Sequence, residues 1–322
     1  MKPLAYQLLR CLADGEFHSG EALALQLGMS RASVWKAVEE IEATGLPVFR
    51  IRGRGYRLAS PVCTLEAPRI IAALGSDTPY HLELLDETDS TNTLLLARAR
   101  EGATHGTVVV TEWQRAGRGR MRRQWHAPLA GALTFSVLWR FARGAAALAG
   151  LSLAVGLAVA RALHAQGVHG AGLKWPNDVL WQERKLAGIL IEMQGDALGP
   201  AAVVIGIGMN VRLGDALLER IDQPIVDVES IVERAVDRNV LLAEVLNHLQ
   251  AILATFEQSG FDALREEWQR RHVHQGREVK LALPDGRRES GIARGVANDG
   301  ALLVATPRGV LPFHSEIGRA HV

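Results

Sequence analysis

The stretch from His81 to Val211 constrains the fold most, because its hydrophobic period changes every few residues. Thr134-Phe-Ser-Val-Leu-Trp139 alternates as a strand does, and Ala146 to Ala165 is apolar over a length that only a helix reaches. Leu173 to Trp175, Val179 to Trp181, Leu186 to Glu192 and Ala202 to Val211 are strand-like runs joined by short turns. Regular βαβα alternation is missing. The pattern therefore predicts a mixed α+β sheet with helices packed on it, not a doubly wound dinucleotide fold. In that setting Gly117-Arg118-Gly119-Arg120 is neither a Rossmann fingerprint nor a Walker A loop.

A chain of 322 residues has room for two or three domains. Lys plus Arg (36) against Asp plus Glu (35) leaves a formal +1, so any binding of nucleic acid must come from a local patch. Two cysteines, Cys11 and Cys63, are too few for a disulfide framework or a structural zinc site, which fits a reducing compartment and a cytoplasmic location. The apolar stretch Ala145 to Ala160 contains Ser152 and is bracketed by Arg143 and Arg161. It falls short of the roughly 20 residues a membrane span needs, so no membrane partner is expected. The N-terminus carries no apolar export region.

The first sixty residues read as a winged helix-turn-helix domain. A helix runs over Leu4 to Ala13; a second begins after Ser19 and stops at Gly28; a third begins after Ser30, with Val34, Val38 and Ile41 on one face and Arg31, Ser33 and Lys36 facing outward. Val48 to Leu58 then alternates like a hairpin with four arginines, Arg50, Arg52, Arg54 and Arg57, and no acid. Arg50, Arg52 and Arg54 are placed to meet phosphates, and Arg31, Ser33 and Lys36 to reach base edges in a major groove. The competing reading is a protein-docking module of the same shape. Residues 61–68 hold two prolines and no periodicity and read as a linker, followed by a central domain over 69–272 and a C-terminal one over 273–322.

Three motifs in the central domain carry chemistry. Gln114-Arg-Ala-Gly-Arg-Gly-Arg-Met-Arg-Arg-Gln-Trp125 places five arginines and two glycines where a chain could fold over an anion. Lys174-Trp-Pro-Asn-Asp178 follows a strand-like step, and Lys185-Leu-Ala-Gly-Ile-Leu190 precedes Gly206-Ile-Gly-Met-Asn210. In this order the set resembles the biotin protein ligases, and Gly15 to Glu21 with Leu27 to Ala32 resembles their bifunctional, DNA-binding form. The similarity runs over nearly the whole chain.

The resemblance implies a class II synthetase-like central domain and an SH3-like C-terminal barrel. It implies that biotin and MgATP give biotinyl-5′-AMP, and that a lysine of biotin carboxyl carrier protein then takes the biotinyl group. Ser90, Thr91, Asn92 and Gln114 would hydrogen-bond the ureido ring, and the Arg118-Gly119-Arg120 loop would close over the ligand. Lys174 would meet the carboxylate and then the phosphate, with Arg118 and Arg120 as further catalytic cations. Trp125 would stack near the adenine, and Asn177, Lys185 and Asn210 would serve the triphosphate and metal side. Operator DNA and a ligand-promoted homodimer complete the expected partners. Plainer roles compete: Ser90 also suits the N-cap of a helix through Leu94 to Ala99, Trp125 suits a core, and Trp175 and Pro176 read as structural. His105, His126 and His164 lack ligand spacing.

The sequence departs from the family in two places. Arg122 stands where the family's loop has a glycine, so the loop is expected to differ locally. Glu316-Ile317 runs into Gly-Arg-Ala-His-Val322, which matches a translated sequencing adapter and is read as non-native over 318–322. Upstream, Val279 to Leu283, Gly291 to Val296, Ala301 to Ala305 and Val310 to Phe313 are expected strands of the barrel, after helices over Leu242 to Phe256 and Phe261 to Arg270. Three alternatives stay open: a ligase whose N-terminal domain regulates nothing, a lipoate or octanoyl transferase on a related fold, and a biotin-sensing transcription factor without catalysis.

Overall fold

The computed structural model describes residues 1–194, 200–214, 221, 223–282, 288–314 and 319–321. Its N-terminal part follows the serine punctuation of the sequence. Helix α1 (Pro3–Leu12) is followed by α2 (Gly20–Gln26), whose cap Ser19 accepts from the Ala22 N–H, and α3 (Arg31–Glu42), whose cap Ser30 accepts from the Ser33 N–H. Strands β1 (Val48–Ile51) and β2 (Gly55–Leu58) pair antiparallel as the wing. Leu8, Leu12, Val34, Val38, Ile41 and Leu58 form the core of this unit. Leu129 and Ala130 of the central region pack against the same core, with Trp113 beside them.

Residues read as a linker are tied down. Arg238 is 1% exposed and donates to the Cys63 carbonyl, to the Ala132 carbonyl at 2.9 Å and to Glu112, which is itself buried and accepts from the Leu65 N–H. Ala67 and Pro68 open helix α4 (Ala67–Leu74), the proline standing where a helix start tolerates it.

A seven-stranded sheet follows, built from β3 (His81–Thr88), β4 (Thr107–Gln114), β7 (Ala132–Phe141), β8 (Gly172–Lys174), β9 (Asp178–Trp181), β10 (Arg184–Gln194) and β11 (Ala201–Asn210). Its order is β3-β4-β7-β11-β10-β9-β8, with β3 and β4 parallel and every other neighbour antiparallel, the mixed sheet the periodicity predicts. Between β4 and β7 a small hairpin of β5 (Gly117–Arg118) and β6 (Gln124–Trp125) forms the arginine loop. Helix α5 (Thr91–Arg100) packs Leu95 on one face against Val109, Leu138 and Val204. The other face is covered by α6 (Leu151–Ala165), α8 (Arg238–Ser259) and α4, with the short α7 (Val228–Val232) and α9 (Asp262–Arg270) beside them.

The helix expected over Ala146 to Ala165 is shorter. A 3-10 turn, Ala145–Leu148, precedes α6, and Gly150 between them is left-handed (φ 81°). A Cβ on Gly150 would lie 2.7 Å from that of Phe261, so the break makes room for that ring. Residues 146–165 and α8 are each apolar and long enough to cross a membrane, but here they pack on each other and the sheet.

The C-terminal part is a five-stranded antiparallel sheet, β15-β14-β13-β12-β16, from β12 (Glu278–Ala282), β13 (Arg288–Val296), β14 (Leu302–Thr306), β15 (Gly309–Phe313) and β16 (Arg319–His321). A bulge between Ala293 and Val296 bends it, as a small barrel requires. The expected strand residue Leu283 and residues 315–318 and 322 of the tail lie outside the described residues. The β13–β14 turn docks on the central region through the Trp175 Nε1–H, which donates to the Gly300 carbonyl at 3.1 Å. Trp175 is thus the structural residue the sequence suggests, at 1% exposure.

Candidate active site

The motifs converge on one cavity of about 430 Å³ over the middle of the sheet. Its polar end is set by the start of α5. Ser90 caps the helix, its Oγ accepting from the Thr93 N–H at 3.3 Å, while it also lines the cavity, so its two readings coexist. Thr91 donates through its N–H (2.9 Å) and its hydroxyl (3.2 Å) to Gln114 Oε1 at the end of β4. Ser136 of β7 donates to Asn92 Oδ1 at 2.6 Å and lies 2.7 Å from Thr91 Oγ1. Ser90, Thr91, Asn92 and Gln114 are all buried, so they form a preorganised patch of donors and acceptors rather than a solvated rim.

Glycines in β10 and β11 make the space. A Cβ on Gly206 would sit 2.1 Å from Asn92 Oδ1, and one on Gly208 would sit 2.4 Å from the Trp125 ring. Trp125 therefore lies across the sheet in the cavity wall, with its indole N–H buried and, among the described residues, without a hydrogen-bond partner. A buried donor of this kind calls for an acceptor from a bound molecule or water.

Cations line the same cavity. Arg118, Arg120, Arg123, Lys174 and Lys185 line the cavity and, among the described residues, Asp178 is the carboxylate beside them. Burial lowers the Lys174 pKa from the ordinary amine range, with Asp178 opposing the shift and Lys185 and Arg123 adding to it. Lys185 Nζ meets Asp178 at 2.8 Å and stands 5.8 Å from the Trp125 ring centre. Asn177 binds the Ile189 carbonyl through its amide at 2.8 Å, pinning the Lys174–Asp178 turn to β10. Arg118 is held by Glu192, with Nη2 at 3.0 Å from both carboxylate oxygens. Gly119 borders the cavity between Arg118 and Arg120. In the loop the left-handed residue is Met121 (φ 53°), one position before the Arg122 that replaces the family glycine.

One expected site residue is not brought in. Asn210 does not line the cavity; it is 4% exposed, and its amide donates to the carbonyls of Lys185 (3.2 Å) and Val226 (3.1 Å). It orders the backbone at Lys185. Sequence reasoning also missed Ser136 and Glu192, and it placed Gly206 in a motif without giving it a role. The signal available was glycine inside two apolar strands, which marks close approach by another group.

On the winged helix, Arg31, Lys36, Arg50, Arg52 and Arg54 are exposed. Ser33 instead bonds Ser30 Oγ at 2.9 Å. Arg50 pairs with Glu42 and lies 5.7 Å from the Trp35 ring centre, and Arg54 lies 4.5 Å from that of Phe17. Trp35, 44% exposed on α3 between Arg31 and Lys36, is an outward aromatic that the sequence reading left out. Tyr6 of α1 donates to Glu87 at 2.8 Å, and Glu87 and Asp89 in turn hold Arg115 at the root of the arginine loop.

Residues 84–210 match the Biotin/lipoate A/B protein ligase family, residues 5–57 an HTH domain, and residues 274–315 the Biotin protein ligase C terminal domain. The chain is 38% identical to the bifunctional ligase/repressor BirA of Salmonella typhimurium over 95% of this chain and 94% of that protein. It is 30% identical to BirA of Bacillus subtilis over 94% of each. Among solved structures, biotin protein ligase from Aquifex aeolicus in complex with biotin and ATP superposes with a TM-score of 0.65 at 30% identity, covering 75% of this chain and 98% of that one. By sequence over its whole length and by the fold of its parts, the chain belongs to the bifunctional biotin ligase/repressor family.

Proposed function

We propose that the protein joins biotin to ATP as biotinyl-5′-AMP, transfers the biotinyl group to a lysine of biotin carboxyl carrier protein, and represses transcription when the adenylate is bound. The observation that carries this reading is a cavity lined by a buried hydrogen-bonding patch and by five cations, with Asp178 as the carboxylate among the described residues. Such a site fits a neutral, hydrogen-bonding ring joined to an anionic tail. The Ser90–Asn92 segment and Gln114 suit the ureido ring, and Lys174, Arg118, Arg120 and Lys185 suit the carboxylate and phosphates.

In the first step a biotin carboxylate oxygen attacks the α-phosphorus and the bond to pyrophosphate breaks. Two anions must approach, so fixed cations lower the barrier by electrostatic preorganisation. In the second, the acceptor amine bonds to the biotinyl carbonyl carbon, AMP leaves and the amine's proton is released. Neither step needs an enzyme nucleophile, and positioning carries the rate. Mg²⁺ would neutralise the triphosphate; among the described residues Asp178 is the lining carboxylate that could hold it, in keeping with the ion's habit of using one or two carboxylates beside substrate phosphates.

For repression, Arg50, Arg52 and Arg54 would contact phosphates, and Arg31 and Lys36 base edges. One winged helix binds weakly, so an adenylate-promoted homodimer on a two-fold operator is the working form, in the cytoplasm. The loop is joined to this domain: Trp113, Leu129 and Ala130 flank it and pack in the N-terminal core. Pyrophosphate release with biotin and ATP tests the ligase half. Sedimentation with and without biotinyl-AMP, followed by operator titration, tests the other. An adenylate that changes neither dimerisation nor operator affinity would leave a ligase alone.

A further inference from the structure

Glu192 belongs to none of the motifs and does not line the cavity, yet it touches two elements that do. Its carboxylate takes Arg118 Nη2 at 3.0 Å on both oxygens and the Asn92 side-chain amide at 2.8 Å. Asn92 is the second residue of α5, is 4% exposed, and is bound on its other side by Ser136. Arg118 is half of β5, the first strand of the arginine loop. The contacts therefore run unbroken from Gln114 through Thr91, Ser136, Asn92 and Glu192 to Arg118, linking the root of the loop to its strand beneath the cavity.

An ion pair whose arginine is 45% exposed adds little to folding stability, so any importance of this pair lies in geometry. A guanidinium held on one nitrogen by a fixed carboxylate presents its remaining donors in one orientation, and less freedom is lost when an anion arrives. We propose that Glu192 is a positioning residue for ligand retention: by joining Arg118 to Asn92 it holds the arginine loop over the cavity while the adenylate is bound. The role rests on the biotin-adenylating reading above. It acts on retention, not on the bond-making step, because Glu192 touches neither Lys174 nor the cavity.

Glu192→Gln removes the charge but keeps an oxygen for Asn92. It should release biotinyl-AMP about tenfold faster and raise the KM for biotin to match, while kcat for pyrophosphate release stays within about twofold, the size of one charge-assisted contact. Glu192→Asp should fall between this variant and the wild type. In an Arg118→Gln background, adding Glu192→Gln should not speed release further. Unchanged release and KM in Glu192→Gln would overturn the proposal, and so would additive effects in the double variant, which would place the role outside Arg118. If the wild-type chain makes no biotinyl-AMP, the ligase reading itself fails, and that result is seen before any variant is made.

Discussion

Two hairpins of this chain use the same materials. Val48 to Leu58 and Gln114 to Trp125 both intersperse arginine with glycine beside aromatic rings, and by composition either could bind phosphate. Their footings differ. The wing arginines Arg50, Arg54 and Arg57 lie over Trp35, Phe17 and Phe49, and Arg50 pairs with Glu42. The central loop stands on a sheet, over a cavity with buried hydrogen-bonding groups, and its arginines are held by Glu192, Glu87 and Asp89. Arginine and glycine specify an anion; what lies beneath them decides whether that anion is a polymer passing across a surface or a small molecule enclosed by it.

That contrast is tested hardest at the base of β4, which carries both Glu112 and Gln114. Arg238→Met leaves Glu112 buried without its cation and frees the Cys63 carbonyl, and should cost about 3–5 kcal/mol of stability. Chemical denaturation measures it, and a loss under 1 kcal/mol would mean the loop's footing does not depend on this pair. Lys174→Ala should slow pyrophosphate release by about 10²–10³-fold with the fold intact, the cost of removing one preorganised electrostatic group. Because burial lowers the Lys174 pKa, its cationic form is lost at a lower pH than an ordinary lysine's. The rate should fall correspondingly early on the alkaline side, and Lys174→Arg should move that limb upward, since arginine stays protonated.

A smaller effect is expected at Arg120. Arg120→Gly should still form biotinyl-AMP but let it escape about tenfold faster, so that lysines of bystander proteins become labelled. Mass spectrometry of a protein mixture reads this, and carrier-only labelling at the wild-type rate would remove Arg120 from the closure. The smallest change belongs to the wing. Arg52→Ala should weaken all DNA sequences alike, by several-fold at moderate salt, and reduce the salt-dependence slope by about 1, without altering pyrophosphate release. A sequence-selective loss would mean that Arg52 reads bases.

The winged helix was legible because its signals are local: Ser19 and Ser30 cap helices three residues ahead, and the wing's turn lies within one short hairpin. The cationic wall was legible as well, since Lys174 and Arg118 to Arg120 sit in compact motifs. The buried patch was half hidden. Ser136 and Glu192 meet Asn92 from 44 and 100 residues away, across strands whose register no local pattern announces. Asn210 shows the converse: a polar residue ending a motif looks available for ligand, and here backbone carbonyls from two other segments take its amide. The break at Gly150 was missed because helical hydrophobicity continues through it, while the reason for it, Phe261, lies over a hundred residues further on.

Ligase activity stands or falls on what the cavity does. The most direct test incubates the purified chain with biotin, ATP and a biotin carboxyl carrier domain, and reads biotin on the carrier lysine by mass. ATP-dependent labelling is expected, retained when the wing arginines Arg50, Arg52 and Arg54 are changed to alanine and lost with Lys174→Ala. No labelling by the wild-type chain, under conditions where it still binds biotin, would contradict the ligase reading and leave a biotin-sensing DNA-binding protein in its place.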